Sequence, residues 1–503
     1  MPEQPNPKPP GLIRNLVSLA GLILIALSLA NLLFLFMLDL LGGGANPYLG
    51  VLTYMVLPVF LIAGMVLVVV GVVRERARRR RLAPGEIPKH VRIDFNDPKQ
   101  RAVFAFSVSF VVVFVLMSAV GSYRAYEFTD SVQFCGELCH SVMHPEFTAY
   151  QLSPHARVAC VDCHVGAGAS WYVRSKMSGL RQVYAAAFKT YPRPIPSPVQ
   201  NLRPAQQTCE QCHWPQKFYG AQLKTIDHFA PDEQNTPRQI KLLIKTGGGS
   251  PALGMTSGIH WHMNIANQVW YLPTDRQRQT IPYVKVKDRQ GHVTEYFAKD
   301  SPLKPEEMQK AALRRMDCVD CHNRPTHIYN SPDKAVDEQL AAGRIDRSLP
   351  FIKKFAVDAL TASYKSRPEA LAGIARELDA DYSSKYASVY SQKQPAIKQA
   401  VSAVQHIYSN NIFPEMKVDW RTHPNNIGHF YSLGCFRCHD GQHVSKEGKT
   451  VSRDCQSCHE ILGQENGATL MPQVQAVAFQ HPGGEMDFSA TNCNDCHSGG
   501  VGP

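Results

Sequence analysis

The chain has 503 residues, a formal net charge of +11 and 14 cysteines. It is too long for a single hydrophobic core, so several domains are expected. Much of the positive charge sits in one arginine run without aromatic interleaving, which argues against nucleic-acid binding. All the cysteines fall into close pairs, which leaves none for a disulfide framework or a nucleophile.

Three apolar stretches come first, at residues 15–38, 51–73 and 102–120, each long enough to cross a bilayer as a helix. The first is too long for a signal peptide, and no small-x-small cleavage site follows it, so it reads as an anchor. Loop 41–50 has no Lys or Arg, whereas the next loop carries Arg74, Arg76, Arg78, Arg79, Arg80, Arg81, Lys89 and Arg92. The positive-inside rule therefore places the N-terminus and that basic loop in the cytoplasm, and the chain emerges outside after the third span. No histidine lies in any span, so a bis-histidine haem within the bilayer is not expected from this chain. Asn31 reads as a helix–helix hydrogen-bonding residue, and Asp39 sits at the outer interface.

Just beyond the third span comes Cys135/Cys139, followed by Cys160/Cys163, Cys209/Cys212, Cys318/Cys321, Cys435/Cys438, Cys455/Cys458 and Cys493/Cys496. Each pair runs straight into a histidine: His140, His164, His213, His322, His439, His459 and His497. At the overall histidine frequency, chance would do this on the order of once in 10 billion sequences. Zinc is a poor alternative, because an imidazole directly after the second thiol is badly placed to share one tetrahedral ion with it. Two thiols that bond to haem vinyl groups, with the next imidazole reaching the iron, account for the pattern. Seven covalently attached c-type haems are expected. Such attachment takes place outside a bacterial cytoplasmic membrane, so the haem part is expected to be periplasmic, in agreement with the charge-based topology.

Residues about 123–330 carry a family resemblance. After a membrane helix and the first motif with nearby Met143, Ser153-Pro154-His155-Ala156 leads into the second motif. The third motif follows, and the fourth continues as Cys321-His322-Asn323-Arg324-Pro325-Thr326-His327. This order resembles the NapC/NirT/NrfH family of membrane-anchored quinol dehydrogenases. The resemblance implies that Met143 helps set the coordination of the first haem and that His155 and His327 are distal ligands of other haems. It also implies quinol oxidation near the first haem, with Lys176 as the matching lysine. The first motif departs from the family pattern by one extra spacer residue and one extra step to the methionine.

Between motifs three and four lies an insert at about 214–305, with Gly258-Ile259-His260-Trp261-His262 and a strand–turn–strand pattern at 283–287 and 293–297. A small β insert presenting His260 or His262 to a haem is expected. An alternating pair on one strand faces opposite ways, so one of the two should ligate. Residues 331–420 contain no cysteine and read as an amphipathic helical spacer, with Ile397, Val401, Val404 and Ile407/Tyr408 at helical spacing. The last segment, 421–503, packs three motifs closely, with His429 and His443 flanking the fifth motif and His481 preceding the seventh. Such tight spacing leaves little protein between haems, so the haems themselves would form much of the core.

Seven irons need seven distal partners. The best-placed set is Met143, His155, one of His260/His262, His327, His429, His443 and His481, with His144, His228, His292, His406 and His423 left over. A full set favours an electron carrier over a reductase of nitrite or hydroxylamine, which needs an open iron. The expected fold is mainly α, a haem-packed multihaem cytochrome c with three N-terminal transmembrane helices (residues 1–122) and the small β insert. The expected function is electron transfer between the membrane quinone pool and a periplasmic acceptor. An alternative is a wiring and anchoring subunit among other membrane respiratory subunits, in which a partner holds the quinone site.

Overall fold

The computed structural model describes residues 11–41, 57–81, 95–138, 140–165, 169–199, 202–248, 258–263, 267–466, 475–482, 484 and 491–500. The chain packs as two compact units, residues 1–134 with 165–181 and residues 135–164 with 182–503.

In the first unit, helices α1 (Leu16–Leu41) and α2 (Leu57–Arg79) form an antiparallel pair. Small residues line their crossing. A Cβ on Gly21 would lie 2.7 Å from Gly64 O, and one on Gly71 would lie 2.3 Å from Ser18 Oγ. Such close approach is how apolar helices associate where burial from water cannot drive them together. Polar groups then bond across the pair: Asn15 Nδ2 donates to Gly71 O (3.2 Å) and Ser18 Oγ to Val68 O (3.3 Å). Asn31 instead donates to Leu27 O on its own helix. Both helices are long and apolar enough to cross a membrane. Helix α3 (Pro98–Asp130) opens with Asp97 accepting from Lys99 N and Pro98 in the first turn, a combination that fixes a helix start. It exposes Val103, Phe106, Phe110, Met117 and Val120 among other apolar side chains.

The second unit takes in helix α4 (His140–Gln151), while α5 (Ala169–Ala187), which carries Lys176, begins in the first. The cysteine-free spacer forms the one large apolar core among the described residues. It is built from α6 (Pro332–Ala341), α7 (Ile352–Thr361), α8 (Arg367–Lys385) and α9 (Gln394–Asn411). Ser331 and Ser366 cap α6 and α8, each followed by proline in the first turn. The stripe read from the sequence is the inward face of α9: Ile397, Val404, Ile407 and Tyr408 are buried, and Val401 packs partly buried against them.

Two antiparallel sheets complete this unit. Strands β1 (Gln222–Phe229), β2 (Pro237–Ile244) and β8 (His459–Asn466) form the first, in the order β1-β2-β8. The second has the order β6-β3-β4-β5-β7, from β3 (Gln268–Leu272), β4 (Tyr283–Lys287), β5 (Val293–Ala298), β6 (Arg314–Arg315) and β7 (His443–Ser445). Strands β4 and β5 fall where the strand–turn–strand pattern was expected. The sheets are nevertheless more than a local insert. Strand β8 adds to β2 and β7 adds to β5, so the segment with the last three motifs is hydrogen-bonded onto the insert between motifs three and four.

Candidate haem centres

The motifs fold as single tight turns. In the third, fourth, fifth and seventh, the histidine N–H donates to the carbonyl of the first cysteine four residues back, so both sulfurs and the imidazole leave one turn of backbone. Flanking polar residues fix these turns. Asp317 caps the fourth and Asp454 the sixth, and Asp317/Asp320 and Asn492/Asp495 form reciprocal capping boxes. The first motif accommodates its extra spacer residue in a π-helical turn, Gln133–Leu138, which holds one more residue than an α turn. Gly136 in that turn lies against the Phe147 ring, 2.3 Å from where a Cβ would sit. The Cys139 residue and the His140 side chain lie outside the described residues, so the half-buried Met143 on α4 has no measured relation to them.

The protein does not enclose every motif cysteine. Cys496 is exposed, in contrast to its partner Cys493, which is half-buried; Cys212, Cys321 and Cys455 are exposed as well. The reason at Cys496 is local. It ends a four-residue helix, Cys493–Cys496, and the chain continues as His497-Ser498-Gly499-Gly500, which offers few side chains to cover it. Cys496 thus stands at the protein surface, while its place in the turn, three residues after Cys493 and directly before His497, is the one the motif requires.

Each of the other six motif histidines faces a second histidine. Ring centroids are 6.3 Å apart for His164/His327, 6.0 Å for His213/His155 and 6.4 Å for His322/His260. They are 5.9 Å apart for His439/His262, 6.1 Å for His459/His429 and 6.1 Å for His497/His481. An imidazole–metal bond of roughly 2.0 Å, plus roughly 1.1 Å from nitrogen to ring centre, puts two rings on one metal roughly 6.2 Å apart. All six separations agree with this to within a few tenths of an ångström.

Hydrogen bonding points the correct nitrogen inward. The Nδ1 atoms of His260, His262, His327 and His439 lie 2.7–3.0 Å from the carbonyls of Thr246, Ile259, Glu146 and Ser452. A carbonyl only accepts, so Nδ1 carries the proton and Nε2 keeps its lone pair for a metal. Burial holds His164, His262, His322, His429, His459 and His497 below the usual imidazole range. His327 is held down to about 4 by burial and by the nearby Arg324 charge. These rings are therefore neutral, as ligation requires. The residues present fit a c-type haem at six of the seven motifs.

The structure departs from the sequence reading at two ligand positions. His260 and His262 lie on a short 3₁₀ helix, Ile259–Met263, and face different motif histidines, so both are engaged where one was expected. His443, the first residue of β7, is buried and faces no motif histidine among the described side chains. Its Nδ1 meets Asp440 Oδ1 at 2.9 Å and its Nε2 meets Ile281 O at 2.6 Å, so both nitrogens are committed to protein. His155 sits in a loop bracketed by the Tyr150 hydroxyl, 2.8 Å from Ala156 O and 2.9 Å from Val158 O. Among the remaining histidines, His228 bonds Asp337, His292 bonds Asp288, His406 bonds Asn410, and His144 packs edge-on to Phe413. The side chain of Lys176 lies outside the described residues.

A buried ionic network, unforeseen from the sequence, fixes the fourth motif against the fifth. Asp320, a spacer residue of Cys318-Val319-Asp320-Cys321, is almost fully buried and accepts from Tyr271 (2.7 Å), Arg278 (2.8 Å) and Arg314 (2.7 Å). Its backbone carbonyl accepts from Arg437 (2.9 Å) and Asn426 (3.0 Å). Burial and the Asp320 carboxylate together raise the Tyr271 hydroxyl far above its usual range, so it stays a donor. The only foretaste in the sequence was an acidic residue inside a haem-binding motif.

The cysteine sulfurs also give the order of the motifs in space. A hydrogen bond to Cys135 draws the Cys160 thiol down to about 7. Burial, then Cys209 and Cys212, hold Cys163 up; burial and Cys209 push Cys318 up to about 12. Burial dominates the rise of Cys321 to about 11, which Cys435 adds to, and Cys435 likewise adds to the rise of Cys458 to about 11. Burial and Cys455 hold up Cys493. In the haem-loaded chain these sulfurs are thioethers and do not titrate, but the adjacency remains: every motif neighbours the next. At the last step the contacts are direct. His429 Nδ1 lies 3.9 Å from Cys493 Sγ, and Phe430 stacks on His497 at 4.4 Å.

Residues 97–194 match the NapC/NirT cytochrome c family, N-terminal region. Across 504 aligned residues, covering 99% of each chain, the protein is 48% identical to the cytochrome c-type protein ImcH of Geobacter sulfurreducens. No solved structure matches. The cysteine motifs, the facing histidines and these likenesses agree: the chain is a multihaem c-type cytochrome and belongs to the NapC/NirT family.

Proposed function

We propose that this protein holds seven c-type haems in a single file and conducts electrons between the membrane quinone pool and a periplasmic acceptor. The observation that carries the reading is the set of six motif histidines, each facing a second histidine at 5.9–6.4 Å. Bound haem iron supplies reversible one-electron chemistry. His164/His327, His213/His155, His322/His260, His439/His262, His459/His429 and His497/His481 would be the axial pairs. Met143 would serve opposite His140. Such pairing would take both faces of six irons and leave an open position, if any, only at the first centre, which favours a carrier over a terminal reductase.

In this reading α3 is the third membrane span, the arginine-rich loop is cytoplasmic, and the chain reaches the periplasm just before Cys135. Oxidation of a quinol to a quinone would release two protons to the surrounding water and two electrons, which the haems would accept one at a time. The first motif would be the entry because it follows the membrane segment directly in sequence, and its Cys135 lies beside Cys160 of the second motif. Lys176 would bind a quinol oxygen. The helix pair α1/α2 would offer packing surface to other membrane respiratory subunits. At the far end, the exposed Cys496 would leave the edge of the seventh haem open to the periplasmic acceptor.

The test uses the full chain in proteoliposomes. A short-chain quinol should reduce it. Lys176→Ala should slow that step tenfold or more (~1.4 kcal/mol on the barrier) and leave reduction by dithionite unchanged. Equal slowing with both donors removes Lys176 from the quinol site. No reduction by quinol until a co-purifying partner is added would transfer the quinone site to that partner.

A further inference from the structure

Beside the seventh motif, a buried lysine, two aspartates and a tyrosine bond to one another, and one half-exposed histidine joins them. Lys353 on α7 is 3% exposed, and its Nζ lies 2.5 Å from Asp337 Oδ1 and 2.6 Å from Asp333 Oδ1, both on α6. It also donates to Asp333 O at 2.7 Å. Asp337 Oδ2 meets Nδ1 of His228, near the end of β1, at 2.6 Å, and Asp333 Oδ2 accepts from the Tyr431 hydroxyl at 2.6 Å. The motif is fastened to this network. Asp333 N donates to Gly499 O at 3.0 Å, two residues past His497, and Phe430, which stacks on His497, directly precedes Tyr431. Burial lowers His497, and the charges of His481, Asp333 and His228 reach it as well.

Within this cluster the proton-accepting role falls to His228 by elimination. A carboxylate only accepts, so its Nδ1 carries the hydrogen and Nε2 is the basic atom; the side chain is 36% exposed, which lets a proton arrive from solvent. Lys353 already holds its protons against two carboxylates, and Asp337 has both oxygens engaged, by Lys353, Phe229 N and His228. Burial would raise Asp333, but the Lys353 and His228 charges and the bonds from Lys353 and Tyr431 outweigh it and hold the carboxyl below its usual range. Burial and the Asp333 carboxylate raise the Tyr431 hydroxyl far above its usual range. Arg238 of β2 stands directly opposite His228 on the same face of the sheet and stays charged at any pH. The two carboxylates thus offset Lys353 and Arg238, and a proton on His228 is the one charge left without a counterpart. An electron arriving at a neighbouring iron supplies that counterpart.

We infer that His228 is a proton-binding site coupled to the seventh centre: it takes up a proton when that centre is reduced and releases it when the centre is oxidised. The inference rests on the haem assignment above. The electron comes from the preceding centre and turns iron(III) into iron(II), and the proton comes from water onto Nε2. Both leave when the acceptor takes the electron, and no other bond changes. By reciprocity, the bound proton holds the electron more tightly, so the potential of this centre rises as pH falls. A histidine that merely ties β1 to α6 would leave proton and electron independent.

The experiment uses the full holoprotein in detergent, native and with His228→Asn, whose amide keeps a donor toward Asp337 but takes up no proton near neutral pH. A pH dye in weakly buffered solution reads proton uptake on full reduction between pH 5 and 8, the range in which imidazoles titrate. The native chain should take up more than the variant, by a difference that peaks inside that range and does not exceed one proton per chain. Potentiometric titration then locates the effect. One component should fall in potential as pH rises, that dependence should flatten at least twofold in His228→Asn, and the same component should be the one that His481→Met displaces. Equal proton uptake by native chain and variant overturns the inference, and so does flattening at a different component. Should His228→Asn fail to fold, His228→Gln is read in the same two ways. A native potential at the displaced component that ignores pH overturns the inference without any variant at this position. If His481→Met displaces no component, the axial pairing of the seventh centre is refuted; a displaced component that keeps its pH dependence in His228→Asn refutes only this inference.

Discussion

Replacing His262 by methionine probes the least expected feature of the site. His262 faces His439 at 5.9 Å, and its ring is positioned by the Ile259 carbonyl 2.9 Å from Nδ1. Its neighbour His260, two residues earlier, faces His322. A thioether in place of imidazole favours ferrous iron, so the affected haem should rise by on the order of 100–200 mV, a fraction of the ~0.8 V that axial ligands span. In the proposed file of seven the affected centre would be the fifth and would become an electron sink. At about 59 mV per decade for one electron, onward occupancy falls roughly 10²–10³-fold, and transfer through the chain slows accordingly. Spectropotentiometry of the purified chain reads the shift, and stopped-flow oxidation by an external acceptor reads the slowing. His260→Met should move a different haem, and the double variant should move two. If either single variant leaves every potential unchanged, or both move the same haem, the two-iron role of the 259–263 helix is wrong.

Other outcomes test the framework around the centres. Asp320→Asn leaves the Arg278 and Arg314 guanidinium groups without their shared buried carboxylate and should cost about 3–5 kcal/mol, read as a fall in the thermal midpoint at full haem content. The His443–Asp440 pair should contribute stability that depends on pH. Burial alone would lower His443, but the Asp440 hydrogen bond outweighs it and raises the folded value, while Asp440 is itself lowered despite burial. The pair's stabilisation is therefore fully present below the ordinary histidine value of about 6.5 and is lost as pH rises through the raised one. At the acid end it fades as pH falls through the lowered Asp440 value. Asp440→Asn should accordingly cost about 1–3 kcal/mol near pH 6 and much less at about pH 9 in denaturant titrations.

The cysteine–histidine motifs and four of the histidines that face them were legible because covalent haem attachment imposes local spacing. His155, His327, His429 and His481 stand near motifs in the chain. What the sequence withheld was pairing across distance. His443 follows His439 closely and looks like a ligand, yet β7 pairs with β5, and that pairing directs its Nε2 to Ile281, 162 residues away. His260 and His262 were read with the twofold alternation of a strand, which leaves one facing away. On a 3₁₀ helix two residues are turned by about 240°, so the two rings face different motif histidines, His322 and His439. Spacing also says nothing of cover: Cys493 and Cys496 belong to one motif, yet one is half-buried and the other exposed. The helical spacer was readable because it buries its own apolar stripe without help from haem. The union of the insert with the last three motifs was hidden, since β7 is only three residues long, β8 is largely polar, and both gain their partners only in the folded chain.

The most direct measurement is electron paramagnetic resonance of the fully oxidised chain. Ring planes are nearly perpendicular for His213/His155 (73°) and His439/His262 (81°), nearly parallel for His322/His260 (8°) and His459/His429 (18°), and intermediate for His164/His327 (41°) and His497/His481 (51°). Perpendicular ligand planes leave two iron d orbitals nearly degenerate and give a large maximal g value; parallel planes split those orbitals and give a rhombic spectrum. The expected spectrum contains six low-spin bis-histidine haems, two of each kind, with a seventh distinct species from the first motif. High-spin signal integrating to more than one haem per chain, or fewer than six bis-histidine centres, would contradict the axial pairing.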